Sequence, residues 1–177
     1  KEIGEDIIEQ KNIISFSSSV QMMESYRKRL HEANSYISSV ASPETYAQWF
    51  NFVFECFEIN PVYLINLQSL QAGWRAKLIA SGSLLETKFE ETDLAVHDDA
   101  VQYKKIHAQK IIFCNGIKSY NSSYWKKLPY ILNKGEALIV SIPGLAAENI
   151  YKFGALTIVP WQNDLWWVGS SYENEFN

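Results

Sequence analysis

Six carboxylates, Glu86, Glu90, Glu91, Asp93, Asp98 and Asp99, fall within one short stretch. Paired carboxylates do general acid–base work when their surroundings drive their pKa values apart. Here they lie among turn-forming residues, and a solvated run is the expectation. His31, His97 and His107 are scattered, and neither C-x-x-C nor H-E-x-x-H spacing occurs, so no metal centre is expected. Cys56 and Cys114 end apolar runs and are expected to be buried free thiols in a reducing, cytosolic compartment. There is no G-x-G-x-x-G or G-x-x-x-x-G-K-[ST] loop for phosphate and no G-x-S-x-G nucleophile elbow. Asn115-Gly116 closes the apolar run Lys110–Cys114 with turn residues, and a plain turn is the expectation there.

The elements that must hold these residues follow from composition and period. The chain has 177 residues, 47% hydrophobic and 20% charged, which is a globular composition rather than a disordered one. Aromatic residues reach 14%, which favours a sheet with a large apolar core. A net charge of −4 disfavours nucleic acid, and Lys104-Lys105 and Lys126-Lys127 are too short as basic patches to reverse that. No apolar run is long enough for a membrane span, and no secretory signal pattern appears.

Residues 1–16 show no clear period. Ser18 with Gln21 predicts a helix over 19–34, and Ser42-Pro43 a short helix over 43–50. The run NFVFECFEI predicts a strand ending at Ile59. Asn60-Pro61 is expected to cap a helix over 61–80, stopped by Gly82, with a strand over 83–88 after it. A meander is expected next, with strands over 94–97, 103–107 and 110–114, the last of them buried. Residues 117–133 form a polar connection. Strands follow over 136–142, 155–161 and 165–170, the last two joined across Gln162-Asn163-Asp164. Among Trp161, Trp166 and Trp167, two are expected to face the core and one to face out. The fold class is therefore α+β: a mixed or antiparallel sheet packed by helices, with a crossover helix and a small β-meander attached.

Three stretches in this order carry a resemblance. They are residues 60–88, the run AQKIIFCNG at 108–116, and Leu128-Pro129, Lys134-Gly135-Glu136, Ile158-Val159-Pro160 and Val168-Gly169-Ser170-Ser171 within 128–169. The chain resembles the middle of the FAD-dependent amine and amino-acid oxidoreductases, the relatives of D-amino-acid oxidase, glycine oxidase and sarcosine oxidase. The resemblance implies the substrate-binding domain at 1–59 and 117–177, with 60–116 as an inserted part of the FAD-binding domain. Cys114, Asn115 and Gly116 would approach the flavin, with Asn115 where the family has Ala or Thr. Thr87 and Lys88, with Phe89, would lie on the adenine side.

Thr157 and Tyr172 would face a small-molecule substrate. Thr157 stands where a bulky aromatic is common, which implies a roomier pocket, and Trp161 replaces a frequent basic residue. The family's dinucleotide fingerprint would precede Lys1. Its carboxylate-binding arginine would follow Asn177. The partners implied are the substrate and the remainder of the same polypeptide, and the piece alone is expected to be inactive. Without the resemblance, the residues equally suit a non-catalytic, aromatic-rich module that binds a peptide or protein.

Overall fold

The computed structural model describes residues 7–33 and 35–174. In chain order the elements are β1 (Ile8–Phe16), α1 (Val20–Arg29), β2 (Ile37–Ser39), β3 (Cys56–Ile65) and α2 (Leu67–Ala80). Then come β4 (Leu94–Val96), β5 (Val101–Tyr103), β6 (Ile106–Ala108), β7 (Ala137–Ser141), β8 (Asn149–Phe153), β9 (Leu156–Pro160) and β10 (Leu165–Gly169). Single 3-10 turns occupy Pro43–Tyr46, Glu91–Asp93 and Gly116–Asn121.

Seven strands form one sheet in the order β2-β3-β1-β8-β9-β10-β7. Only the β1–β8 pair is parallel. The sheet thus joins the first third of the chain to the last, while α2 and the three-stranded meander β4-β5-β6 stand between. The architecture is α+β with a mixed sheet, as composition and pattern predict.

One face of the sheet carries the core. Ile14, Phe16, Tyr151, Ile158 and Trp166 project from it, and Val40, Tyr46, Trp49, Phe50 and Phe52 close over it from the segment before β3. Phe16, fully buried, meets the rings of Tyr46, Phe50, Phe52 and Phe153 at centroid distances of 5.9, 4.9, 5.0 and 5.5 Å. Offset and edge contacts of this kind add stability beyond the area they bury. The opposite face is covered at one end by α1, whose Tyr26 stacks obliquely on Phe57 at 5.0 Å and shares a 3.1 Å hydrogen bond with Ser15. Ser19 caps α1 by accepting the Met22 N–H at 3.1 Å.

Several expectations are corrected. β1 shows no period of two because Ile14, Ser15 and Phe16 are all buried, so both faces are covered and the alternation vanishes. Asn60-Pro61 does not start a helix. Both residues lie inside β3, opposite Asn12, where the β1–β3 register shifts. Such an irregularity tolerates a proline, which has no N–H to donate. The helix begins six residues later, with Asn66 accepting the Ser69 N–H at 3.0 Å.

The strand expected over 83–88 does not form. The meander closes early, at Ala108, so Lys110–Cys114 is unpaired: Ile112 is 85% exposed and Cys114 is exposed, not buried. The helix expected over 43–50 is a single 3-10 turn. The one expected over 19–34 ends at Arg29, and its last residue, Asn34, lies outside the described residues, as do 1–6 and 175–177. The strand β8 was not expected at all. Of the three tryptophans only Trp166 enters the core. Trp161 is half exposed, and Trp167 projects from the other face.

Two outcomes are expected. A Cβ on Gly169 would lie 2.7 Å from the Ala137 Cβ and 3.2 Å from the Trp167 Cη2. Gly169→Ala therefore overpacks β10 against β7 and should lower stability by about 1–3 kcal/mol in urea unfolding. Burial pushes the Tyr151 phenol from its ordinary 10.0 up to about 12. A raised acid pKa means the fold favours the neutral phenol. The resulting stability is full below pH 10 and is lost as pH rises toward 12, which circular dichroism at stepped alkaline pH will follow.

Candidate functional site

Alternation along each strand fixes which residues share the face opposite the core. Register then lines them up. Phe57, Ser15, Lys152, Thr157, Gly169 and Ala137 form one continuous row across β3, β1, β8, β9, β10 and β7. The next row holds Ile59, Ile13 and Ile150 on one side and Val159, Trp167 and Ile139 on the other. Directly opposed side chains in such rows lie roughly 4.5–5.5 Å apart at Cβ. Tyr26 of α1 closes the end of the first row near Phe57 and Ser15. Ser15 is fully buried as a result.

Beyond it Lys152 and Thr157 are half-buried, and Ile139 is exposed. Trp167 leans along its own strand so that its ring edge reaches the space above Gly169. The open part of the face is thus a largely apolar floor carrying the Lys152 ammonium and the hydroxyls of Thr157 and, at the edge strand, Ser141.

A cleft of about 330 Å³ continues this face where β1 runs past the start of β8. Its walls include Ile7, Leu64, Leu67, Val159 and Trp161, with Glu9 at one side. The Glu9 carboxylate is held 2.5 Å from the Lys11 amine, which also donates to the Ala147 carbonyl at 2.8 Å. Its charge is therefore already compensated inside the protein.

The residues expected near the cofactor gather elsewhere. Phe89 stacks on Tyr103 at 4.6 Å and meets Phe113 edge-on at 5.9 Å. Tyr103 donates its phenol to the Lys88 carbonyl at 3.4 Å and accepts the Glu90 N–H at 3.2 Å. Thr87-Lys88-Phe89 and Phe113-Cys114-Asn115-Gly116 are thereby brought together, though they are far apart in sequence. Lys88 pairs with Glu90 at 2.7 Å, and that hydrogen bond raises the amine's pKa. Glu91 accepts from the Ser123 N–H at 2.8 Å, and hydrogen bonds from Ser122 and Ser123 hold its carboxyl below the usual range. Of the acidic run, Glu86, Glu90, Glu91 and Asp93 are each engaged in an ion pair or turn-capping bond.

The turn at Gly116 leaves open space beside its backbone. Gly116 has φ +52°, and nothing lies within 4 Å of where its Cβ would stand. Among the described residues, the N–H groups of Ile111, Ile112, Phe113 and Cys114 make no hydrogen bond within the protein. The Asn115 side-chain oxygen is taken by the Ser119 hydroxyl at 3.0 Å, which leaves its amide nitrogen free to donate. Among the described residues, no three His, Cys, Asp or Glu converge on a metal position.

Tyr172 leaves the sheet three residues past β10, just before the Lys134–Glu173 bridge, and is 77% exposed. Among the described residues no hydrogen bond or ring contact joins Thr157 to Tyr172, or either of them to the cluster at 87–89 and 113–116. Lys152 and Trp167 were not singled out from sequence as ligand-facing. The alternation N-I-Y-K-F in 149–153 was the available signal, because a buried Tyr151 sends Lys152 to the opposite face. No helix of the described residues is long and apolar enough to cross a membrane.

No protein-family model matches the chain. Solved structures do. Glycine oxidase from Geobacillus kaustophilus superposes with a TM-score of 0.70 at 14% identity, covering 97% of this chain and 50% of that one. Iminodiacetate oxidase from Chelativorans sp. BNC1 superposes with a TM-score of 0.67 at 15% identity, covering 97% and 51%. The chain spans about half the length of both. Its α+β fold, with a mixed sheet and few helices, resembles that of half of a glycine oxidase.

Proposed function

We propose that the chain forms the substrate-binding domain, at 1–59 and 117–177, and an inserted part of the cofactor domain, at 60–116, of an FAD-dependent oxidoreductase. One observation carries this reading: nearly the whole chain, 97% of it, superposes on half of glycine oxidase. The substrate class is an amine, amino acid or similar small molecule, in keeping with the names of the two neighbours. FAD, when bound, supplies the two-electron chemistry that takes hydride from the carbon bearing nitrogen or oxygen.

This chain's residues supply position. The turn Cys114-Asn115-Gly116 offers backbone donors and the Asn115 amide to the flavin. Thr87 and Lys88, tied to that turn through Phe89 and Phe113, serve its adenine side. Thr157 and Trp167 present the sheet face to the substrate, and Tyr172 stands at its margin. Two free cysteines suit a reducing, cytosolic setting. No residue of the chain is assigned a proton-transfer role.

The full-length protein, purified and incubated with excess FAD, is expected to retain a visible flavin band that a substrate amine bleaches. A colourless protein that never takes up FAD overturns the reading and favours a module that binds a peptide or protein. The 177-residue chain alone, without a phosphate loop in its sequence, should not retain FAD through gel filtration. In the full-length protein, Thr157→Tyr fills the open face beside Gly169. It should lower kcat/KM for bulky amines by at least about tenfold while changing it little for glycine-sized ones. Equal loss for both sizes would show that Thr157 does not bound the pocket.

A further inference from the structure

We infer that Tyr26 is a specificity-determining residue of the open sheet face: its ring stands as a wall across the first row and limits the length of ligand the face accepts. The inference rests on the reading of that face as a small-molecule site, and not on the chemistry done there.

The row from Phe57 to Ala137 is continuous in the sheet but not in its exposure. Phe57 and Ser15 are fully buried, whereas Lys152 and Thr157, the next positions along, are half-buried. The change falls at Tyr26. Its ring lies on Phe57 at 5.0 Å, and its phenol shares a 3.1 Å hydrogen bond with the Ser15 hydroxyl. Each hydroxyl satisfies the other on a floor where an unpaired one would be costly. One residue on, Arg27 donates to both carboxylate oxygens of Glu55, which ties α1 to the segment ahead of β3 beside the ring. α1 buries none of its residues, so these contacts fix where Tyr26 stands.

Space lies on both sides of the ring. Toward β8 and β9 is the open floor. Toward β2 is a cleft of about 420 Å³, walled by Tyr26 itself with Arg29, Tyr36, Ile37 and Ile59. Ile37 pairs with Ile59, and Ile59 with Ile13, so the cleft and the open floor share one sheet surface. Tyr26 divides it. Thr157 lies two strands from Ser15, roughly 9–10 Å across the sheet, and the ring takes up part of that distance. A ligand that meets the Thr157 hydroxyl and lies along the row must therefore end its apolar part before β1. A longer chain has to displace the ring and leave the Ser15 hydroxyl unpaired.

The test is calorimetric binding of butanamide and octanamide, neutral probes that differ only in chain length, to the full-length protein, first free of flavin and then loaded with FAD. Each methylene that finds a buried place adds about fourfold in affinity. Wild-type protein should show little of that gain between the two probes. Tyr26→Ala should bind octanamide about tenfold or more tighter than wild type does and leave butanamide unchanged. Tyr26→Val, the gentler truncation, should move in the same direction, and Tyr26→Phe, which keeps the ring, should keep the wild-type limit. Ile37→Trp added to Tyr26→Ala fills the cleft and should remove the gain. A wild-type protein that already takes the full methylene increment overturns the inference, as does octanamide binding unaltered in both Tyr26→Ala and Tyr26→Val. A protein that never takes up FAD yet gains octanamide affinity in Tyr26→Ala refutes the oxidoreductase reading and leaves this one standing. A flavoprotein whose length limit is indifferent to Tyr26 does the reverse.

Discussion

The parallel pairing of β1 with β8 is the constraint on which the structure depends. It joins segments well over a hundred residues apart, and the Lys11 amine bonded to the Ala147 carbonyl, 136 residues away in sequence, locks its open end. Closing so long a loop costs several kcal/mol of chain entropy, and a single parallel ladder repays little of that. The repayment comes from what the pairing lines up. On one face it sets Ile14 and Phe16 beside Tyr151 and Phe153, so that Tyr46, Phe50 and Phe52 can close a single aromatic core. On the other it sets Ser15 beside Lys152, and the continuous row across the open face exists only because of that register. A one-residue slip would send Tyr151 to the open face and Lys152 into the core.

The elements with local signals were legible in the sequence. The hairpin between β9 and β10 and the strand β7 rest on turn residues or alternation that a window of ten residues contains, and the start of α1 was legible to within one residue, since Ser19 caps it where Ser18 was expected. Asn163 and Asp164 take the positive φ that the hairpin needs, as their residue types predict. What failed had a cause outside the window. β1 is buried on both faces at its end, so its pattern carried no period. Asn60-Pro61 has the chemistry of a helix start, yet the β1–β3 ladder outweighed it, and Asn66 took the capping role. Lys110–Cys114 has the composition of a buried strand but no described neighbour to pair with, so Ile111, Ile112 and Cys114 stay exposed while Phe113 packs on Phe89, Tyr124 and Trp125. The same limit applies to the site. The turn at Gly116 was visible as a turn, whereas Lys152 could be placed only once Tyr151 was known to face the core.

The open face is shaped as much by what is missing from it as by what it carries. Gly169 has an ordinary strand conformation, so backbone freedom does not explain it. Space does: Ala137 presses from one side and the Trp167 ring from another, closer than a methyl group allows. The small residues Thr157, Gly169 and Ala137 run consecutively along the row, and the ring edge of Trp167 reaches over Gly169. The result is a floor that is flat, largely apolar and rigid because it is built on strands, with its polar groups confined to β8, β9 and the edge strand β7. Preorganised surfaces of this kind spend little conformational entropy when a ligand arrives.

The chain leaves this face for the aromatic cluster around Phe89 and Phe113 at Asn66 and returns to it through 117–136 into β7. The Asn66 N–H donates to the Ile7 carbonyl at the start of β1, and its side chain caps α2 at Ser69. One residue thus ends the sheet and begins the helix, leaving no slack between them. The cleft beside it, walled by Leu64 and Leu67 on one side and Val159 and Trp161 on the other, is the space this abrupt change of direction leaves open. α2 buries none of its residues, so its direction is not set by packing along its length. It is set at its first turn. At that first joint Asn66 donates its N–H to Ile7 and accepts from Leu70 on its carbonyl and from Ser69 on its side chain, so any chemistry that needs the Gly116 turn and the open sheet face to act on one bound molecule depends in part on a single asparagine.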